Sequence, residues 1–241
     1  LYLLFWLLVL DQKREERLTK MIFRDLNLEQ NLIENLESLG YKTLTPIQEN
    51  SLKHSLEKKD IIARAKTGSG KTLAFCLPII NNLDKKKYRV QSLILAPTRE
   101  LATQIATTLR EVLRTTSNIK VLTLCGGVPY RPQVVSLEHE AHIIVGTAGR
   151  VLKHINEGNL KLEDINTFVL DEADKMLDMG FFDDISKVSS LLPKQRQTLL
   201  FSATFSNEIK NLALEFLNNP VNIEVEDEEQ NIIKQVFYEV N

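Results

Sequence analysis

A short glycine-rich turn between an apolar segment and a helix-like segment is the feature that most constrains the fold of this chain. Residues 60–63 (DIIA) favour a strand, residues 66–70 (KTGSG) favour a turn, and residues 72–80 (TLAFCLPII) are apolar with helical spacing. Glycines let backbone N–H groups approach an anion, and the N-terminus of a helix adds unpaired donors and partial positive charge. The sequence therefore predicts a strand–loop–helix unit that holds phosphate groups.

The turn fits the phosphate-loop pattern G-x-x-x-x-G-K-[ST], except that Ala65 stands where the pattern has its first glycine. We predict that Lys71 reaches the β- and γ-phosphates of ATP and that the Thr72 hydroxyl is a ligand of Mg²⁺. The predicted nucleotide-binding residues of the loop are Ala65, Lys66, Thr67, Gly68, Ser69, Gly70, Lys71 and Thr72. Taken alone, the loop could also be an ordinary glycine-rich turn with a solvated lysine.

A pair of acidic residues follows a second apolar segment. Residues 167–170 (TFVL) are typical of a buried strand, and Asp171 and Glu172 come directly after it. In open α/β sheets, ligands bind at the carboxyl ends of the strands. We therefore predict that Asp171 is a Mg²⁺ ligand and that Glu172 orients or deprotonates an attacking water. The alternative, that these acids only cap the next helix, is less consistent with a phosphate loop in the same chain.

Alternation of strand-like and helix-like segments predicts an α/β fold with a mostly parallel sheet covered by helices on both faces. The predicted strands are 60–64, 91–95, 119–124, 142–145, 166–170, 197–201 and 221–225. Apolar residues at helical spacing predict a helix that ends at Gly40 and another that contains Leu101, Ile105, Leu109 and Val112.

Composition narrows the partners that this chain is expected to have. A net charge of −2 over 241 residues argues against a uniformly basic surface, so nucleic-acid contacts must be local. Cys76 and Cys125 lie in apolar segments without the spacing of metal ligands, which predicts buried free thiols and a cytoplasmic protein.

Several motifs together resemble the DEAD-box family of ATP-dependent RNA helicases, with Asp171-Glu172-Ala173-Asp174 as its name-giving motif. The others follow in the family's order: Phe23 with Gly40-Tyr41 and Thr45-Pro46-Ile47-Gln48; Ala65 to Thr72; Pro97-Thr98-Arg99-Glu100-Leu101-Ala102; Gly126-Gly127; Thr147-Ala148-Gly149-Arg150; and Ser202-Ala203-Thr204. The segments beginning at Leu122 (LTLCGG), Leu177 (LDMGFFDDI) and Arg196 (RQTLLFSAT) resemble the bacterial DbpA branch.

The resemblance implies a RecA-like P-loop NTPase domain in which Gln48 reads the adenine edge and Phe23 covers the adenine ring. Local chemistry leaves a second interpretation of Gln48 open, because Thr45, Pro46 and Gln48 also form a helix capping box. The family often has proline where Leu44 stands, so the chain departs from the family's pattern in this loop.

An RNA-binding rim is also implied by the resemblance, made of Pro97, Thr98, Arg99, Gly126, Gly127, Thr147, Gly149 and Arg150. Arginines and helix N-terminal amides suit phosphate oxygens, so the contacts would be independent of base sequence. Each of these residues taken singly is equally consistent with a turn glycine or a solvated arginine. Ala148 replaces the family's usual proline. The resemblance further implies that Asp174, Ser202 and Thr204 couple ATP hydrolysis to RNA unwinding, although Ser202 to Thr204 could be a simple N-cap.

The implied activity is ATP hydrolysis coupled to local unwinding of RNA duplexes by a monomer, with a possible place in ribosome assembly. Other ATPases of this fold act on DNA or protein, and a non-catalytic RNA-binding module is a third class; Lys71, Asp171 and Glu172 argue against the last. The expected domain is 21–223, followed by an acidic linker at 224–231 and by the start of a second RecA-like domain at 232–241.

Residues 1–10 (LYLLFWLLVL) are apolar but too few to cross a bilayer, which needs about 20. We expect Met21 to be the natural start and residues 1–20 to be a non-native or disordered extension, and we expect no membrane association. A truncated membrane anchor is the alternative.

Overall fold

Seven parallel strands form one sheet in the computed structural model, which describes residues 21–225. The strands are β1 (Ile61–Arg64), β2 (Ser92–Leu95), β3 (Val121–Leu124), β4 (Ile143–Gly146), β5 (Thr167–Leu170), β6 (Gln197–Ser202) and β7 (Val221–Glu224). Their order across the sheet is β3-β4-β2-β5-β6-β1-β7, and every pairing is parallel. Each strand lies within about two residues of its predicted bounds, and the predicted α/β fold is confirmed.

Helices connect the strands of residues 21–225 and cover both faces of the sheet. They are α1 (Gln30–Ser38), α2 (Pro46–Ser55), α3 (Lys71–Asn82), α4 (Arg99–Val112), α5 (Tyr130–Glu138), α6 (Ala148–Asn156), α7 (Ala173–Asp178), α8 (Phe182–Leu191) and α9 (Asn207–Phe216), preceded by a 3₁₀ turn at Phe23–Asp25. The helix predicted to end at Gly40 is α1, and Gly40 has a left-handed backbone with φ of 89°. That conformation is one in which glycine commonly ends a helix.

Strand side chains divide between two apolar cores, one on each face of the sheet. In β4, Ile143 and Val145 belong to one core and Ile144 belongs to the other. Successive side chains of a strand point to opposite faces, so a strand buried on both faces is apolar throughout. This explains why the strands were visible in the sequence as short continuous apolar segments. Cys76 and Cys125 are buried free thiols, as predicted, and burial raises the pKa of each.

Strand order separates the two groups of predicted site residues. The phosphate loop and the acidic pair follow β1 and β5, and the residues assigned to coupling follow β6; these three strands are neighbours in one half of the sheet. Those assigned to RNA follow β2, β4 and β3, which are neighbours in the other half. Because all strands are parallel, both groups lie along the same carboxyl edge, with β5 and β2 at the boundary.

The predicted boundaries fall partly outside the described residues. The extension at 1–20, the linker from 226 onward and the segment 232–241 all lie outside them. Glu224, where we placed the start of the linker, is the last residue of β7 and pairs in register with Arg64 of β1. Within residues 21–225, no helix is long and apolar enough to cross a bilayer.

Candidate functional site

The phosphate loop joins β1 to the first turn of α3. Gly70 is the N-cap of α3 in a left-handed conformation, with φ of 91°. A Cβ at this position would lie 2.7 Å from Gln48 Nε2 and 2.8 Å from Thr45 Oγ1, so the loop has room only for glycine. Behind it, the Ala65 N–H donates to the Ser202 carbonyl at 2.8 Å. The loop is therefore fixed to both α2 and β6, and its exposed residues 66–68 face solvent.

Three charged side chains meet where β1 and β5 end. Lys71 Nζ lies 3.2 Å from Asp171 Oδ1 and 3.3 Å from Glu172 Oε1. Lys71 is 5% exposed and Asp171 is fully buried. A buried cation between two carboxylates is costly to desolvate, and such an arrangement is typical of functional sites.

Two further side chains hold Glu172 in place. Thr67 Oγ1 donates to Glu172 Oε1 at 2.9 Å, and Lys175 Nζ lies 2.8 Å from Glu172 Oε2. Glu172 itself has a left-handed backbone, with φ of 54°, as the N-cap of α7. A non-glycine residue in this conformation is strained, and such strain is concentrated at functional sites. The loop and the acidic motif are therefore directly connected across the sheet edge.

The two carboxylates have pKa values that are shifted in opposite directions. Burial raises the pKa of Asp171 to about 6, although the positive charge of Lys71 opposes the shift. Burial would also raise the pKa of Glu172, but its hydrogen bond from Lys175, the charge of Lys71 and the hydrogen bond from Thr67 together lower it. Glu172 is thus held ionised, while Asp171 carries most of the cost of burial.

Mg²⁺ fits the Asp171 carboxylate. Asp171 Oδ2 is buried without a hydrogen-bond partner among residues 21–225, and buried polar atoms in folded proteins nearly always have one. A hard cation that prefers oxygen ligands would satisfy this atom. Thr72, in the first turn of α3, is partly exposed and offers a hydroxyl.

Replacing Asp171 with asparagine is expected to stabilise the fold. The folded-state pKa of about 6 exceeds the ordinary value of 3.8, so the folded state binds this proton more tightly. The stability that this proton contributes is therefore lost as pH rises from about 4 to about 6. Asp171→Asn removes that cost, and we expect its free energy of unfolding near neutral pH to rise by about 3 kcal/mol.

Urea unfolding of Asp171→Asn and of the exposed control Asp178→Asn, at about pH 5 and about pH 8, checks this expectation. The gain should appear only for Asp171→Asn and should be larger at the higher pH. A loss of stability at the higher pH would show that Asp171 stabilises the fold.

The residues assigned to adenine have structural partners in this arrangement. Gln48 is buried, accepts from the Thr45 N–H at 3.0 Å and donates to the Gly70 carbonyl at 2.9 Å. Gln48 therefore closes the capping box of α2 and also supports the phosphate loop. Phe23 is 2% exposed and packs in the core, so its ring offers almost no surface for stacking. The geometry supports the capping interpretation of Gln48, and adenine contact by either residue stays a prediction.

The residues assigned to coupling lie between the ends of β5 and β6. Asp174 Oδ2 accepts from the Ala203 N–H at 3.1 Å. Ser202 is buried and its hydroxyl accepts from the Thr204 N–H at 3.4 Å, while Thr204 is exposed. Asp174 thus contacts the segment Ser202-Ala203-Thr204 through the N–H of Ala203, and the coupling role of this contact stays a prediction.

The first half of the predicted RNA rim lies after β2 and β3. Thr98 is the N-cap of α4 and accepts from the Leu101 N–H at 3.2 Å, and Pro97 before it is buried. A Cβ at Gly127 would lie 3.5 Å from Arg99 Nη1, so the guanidinium is next to this glycine. The Gly126 N–H donates to Thr147 Oγ1 at 3.4 Å. The motifs after β2, β3 and β4 are therefore in contact with one another.

The second half of the rim is the start of α6. A Cβ at Gly149 would lie 3.1 Å from Asp184 Oδ2 of α8. Arg150 Nη2 donates to the Val128 carbonyl at 3.1 Å, and its guanidinium lies 5.4 Å from the centre of the Tyr130 ring. Arg150 Nη1 is buried without a hydrogen-bond partner in the described part of the chain. An unpaired guanidinium nitrogen at the sheet edge is suited to an anionic ligand.

Comparison with known proteins assigns the family. The family model for DEAD/DEAH box helicases matches residues 45–212. The chain belongs to the DEAD/DEAH box helicase family. It is 47% identical over 208 residues to the ATP-dependent RNA helicase DbpA of Escherichia coli, covering 86% of this chain and 46% of that protein. It is 42% identical over 221 residues to the DEAD-box ATP-dependent RNA helicase CshA of Geobacillus kaustophilus, covering 91% of this chain and 47% of that protein.

A solved structure agrees with this family. A DEAD box protein from the hyperthermophile Methanococcus jannaschii superposes with a TM-score of 0.82 at 40% identity, covering 86% of this chain and 56% of that one. The chain thus spans about half the length of the relatives it matches. The resemblance to DbpA is confirmed, and relatives named CshA are similar to nearly the same extent.

Sequence reasoning missed several side chains that support the DEAD-box motifs. Lys175 is one, and its position next to the acidic motif was a signal that could have found it. Tyr130, Gln133 and His154 are others: the Tyr130 and His154 rings stack at 4.4 Å, and Gln133 bonds both His154 and the Cys125 carbonyl. Tyr130 and Gln133 lie on α5 and His154 lies on α6, so no local pattern indicated their contact.

Proposed function

We propose that this chain is the ATP- and RNA-binding part of an ATP-dependent RNA helicase. With a second RecA-like domain, it would couple hydrolysis of ATP to local unwinding of RNA duplexes. The observation that carries the proposal is the cluster of Lys71, Asp171 and Glu172 at the carboxyl ends of β1 and β5. Relatives named as ATP-dependent RNA helicases support the same conclusion.

In the proposed reaction, water attacks the γ-phosphate of ATP. Lys71 binds the β- and γ-phosphate oxygens, and the N–H groups of the loop surround the phosphates. Thr72 and Asp171 would hold Mg²⁺, which when bound neutralises phosphate charge. Glu172 accepts a hydrogen bond from the attacking water and takes its proton. The contact of Lys71 with both carboxylates means that ATP must draw the ammonium away from them on binding.

RNA would bind along the other half of the same sheet edge. Arg99, Arg150 and the glycines at 126 and 127 suit a phosphate backbone, since they offer charge and close approach. Asp174, through the Ala203 N–H, ties the acidic motif to the segment after β6. A movement of Glu172 on ATP binding would shift α7, which carries Asp174, and would in this way reach the segment after β6. A place in ribosome assembly stays a prediction.

Nucleotide affinity tests the proposal. We expect Lys71→Ala to weaken the binding of Mg²⁺–ATP by about 30-fold, because the charged hydrogen bonds that are lost contribute roughly 2 kcal/mol. Lys85→Ala is the matched control, since Lys85 is only partly buried and pairs with Glu29 away from the phosphate loop. Titration calorimetry of both variants, with folding checked by circular dichroism, measures the difference. Equal affinities for folded Lys71→Ala and Lys85→Ala would contradict the proposed site.

A further inference from the structure

A groove runs along the open edge of the sheet, next to the RNA rim. β3 is the edge strand, and within residues 21–225 only β4 pairs with it. The groove lies between α4 and α5 and has a volume of about 400 Å³. Its walls include Arg99, Thr103 and Arg110 from α4 and Pro129 and Pro132 from the α5 side, and β3 forms its floor.

The charged side chains that line the groove in the described part of the chain are all positive. Two arginines and no carboxylate are among its lining residues in the described part of the chain. Arg99 has one exposed partner, Glu100, at 3.0 Å, and an exposed pair of this kind contributes little to stability. Arg99 is therefore available to an anionic ligand.

Arg110 is held at the far end of the groove by the strand itself. Its Nη2 donates to the Val121 carbonyl at 2.9 Å. Peptide groups alternate in direction along a strand, and the carbonyls of Lys120 and Leu124 accept from the β4 side. The Val121 carbonyl therefore points to the open side, where Arg110 meets it. Arg110 is an exposed residue of α4, and its other guanidinium nitrogens do not take part in this bond.

Helical geometry sets the two arginines in one line. Positions 99, 103 and 110 share a face of α4, and Arg99 and Arg110 are separated by about 16 Å along its axis. A single strand of a few nucleotides spans this distance. Arg99 also borders Gly127, so the near end of the groove is continuous with the RNA rim.

We infer that this groove binds a single-stranded extension of the RNA that occupies the rim. Arg99 and Arg110 would pair with backbone phosphates a few nucleotides apart. Pro129, Pro132 and the exposed Val128 would contact ribose and base faces. Because the charged contacts are to the phosphate backbone, binding would be independent of base sequence. The inference rests on the RNA binding proposed above.

RNA of increasing length tests the inference in the 241-residue chain. The probe is a fluorescent oligouridine of about six nucleotides, extended by about four at either the 5′ or the 3′ end. We expect only one of the two extensions, the 5′ or the 3′, to tighten binding, by about five-fold. The reason is that the groove leaves the rim in one direction. The Arg110→Gln and Thr103→Glu variants should bind the short RNA normally and lose this gain. The salt dependence of the extended complex should decrease by about 0.7 in slope for Arg110→Gln.

Arg89→Gln is the control, since Arg89 pairs with Glu140 near the opposite ends of the strands and does not line the groove. It should keep the full gain. Thermal melts show whether the variants are folded. If the short RNA binds but extension brings no gain in affinity, the inference about the groove is wrong and the proposed function still stands. The same conclusion follows if Arg110→Gln and Thr103→Glu retain the gain. Failure of the unmodified chain to bind either RNA overturns both.

Discussion

ATP hydrolysis by residues 21–241 alone is expected to be about 10³- to 10⁵-fold slower than hydrolysis by the same residues joined to a second RecA-like domain. The transition state of phosphoryl transfer needs an arginine that stabilises charge on the transferred group. In residues 21–225, the cations in contact with Glu172 are two lysines, Lys71 and Lys175. We expect this arginine to come from a second RecA-like domain.

Steady-state phosphate release with saturating RNA measures this difference. The comparison protein carries the second RecA-like domain of a relative such as DbpA, and a variant of that domain without its arginine finger is the control. Turnover should return to the level of the isolated chain in the control. Rapid RNA-stimulated turnover by residues 21–241 alone would refute the expectation and show that the site is complete within this chain.

Glu172→Gln is expected to lower the turnover of such a two-domain protein by about 10² to 10⁴ without weakening ATP binding. Glutamine keeps the size of the side chain and an oxygen that can accept from Thr67, but it cannot take a proton from water. Lys175, Lys71 and Thr67 stabilise the ionised form of Glu172, which lowers its pKa. Glu172 is therefore a weak base, and its role depends on where its carboxylate is held. Geometry therefore contributes more to its role than basicity does.

Single-turnover hydrolysis, with the protein in excess over ATP and at several protein concentrations, separates binding from chemistry in this variant. Glu57→Gln is the control, since Glu57 is exposed and pairs with Lys59. The rate should fall for Glu172→Gln alone, with the apparent affinity for ATP unchanged. An active Glu172→Gln protein would contradict the assignment of Glu172 as the base. A parallel loss of ATP affinity would indicate instead that Glu172 acts by orienting Lys71.

Local patterns in the sequence were sufficient for the elements of the fold. Strands buried on both faces are continuous apolar segments, and α4 shows Leu101, Ile105 and Leu109 at helical spacing. Gly70 could be identified because only glycine takes its left-handed conformation so close to other side chains. These are properties of a few consecutive residues, which is why they can be derived without the fold.

Contacts between distant residues were beyond the reach of the same reasoning. For Gln48, the sequence allowed two interpretations, and the tertiary contacts use its amide for the capping box and for Gly70. Phe23 was expected at the adenine ring, but its ring is packed in the core. Asp174 was predicted to act with Ser202 and Thr204, and the N–H of Ala203 between them makes the contact. In each case the deciding partner lies far away in the sequence or is a backbone group that carries no sequence signal.

The sequence by itself determined the family, the phosphate loop, the acidic pair and the alternation of strands and helices, because each depends on residue type and short spacing. Only the tertiary structure decided that Lys71 bridges Asp171 and Glu172 and that Thr67 and Lys175 hold Glu172. It also decided that the phosphate loop and acidic pair lie in one half of the sheet edge and the residues assigned to RNA in the other. The physical reason is the order of the strands. Parallel strands can be arranged in many orders with the same local sequence patterns, and the order alone determines which of their carboxyl ends meet.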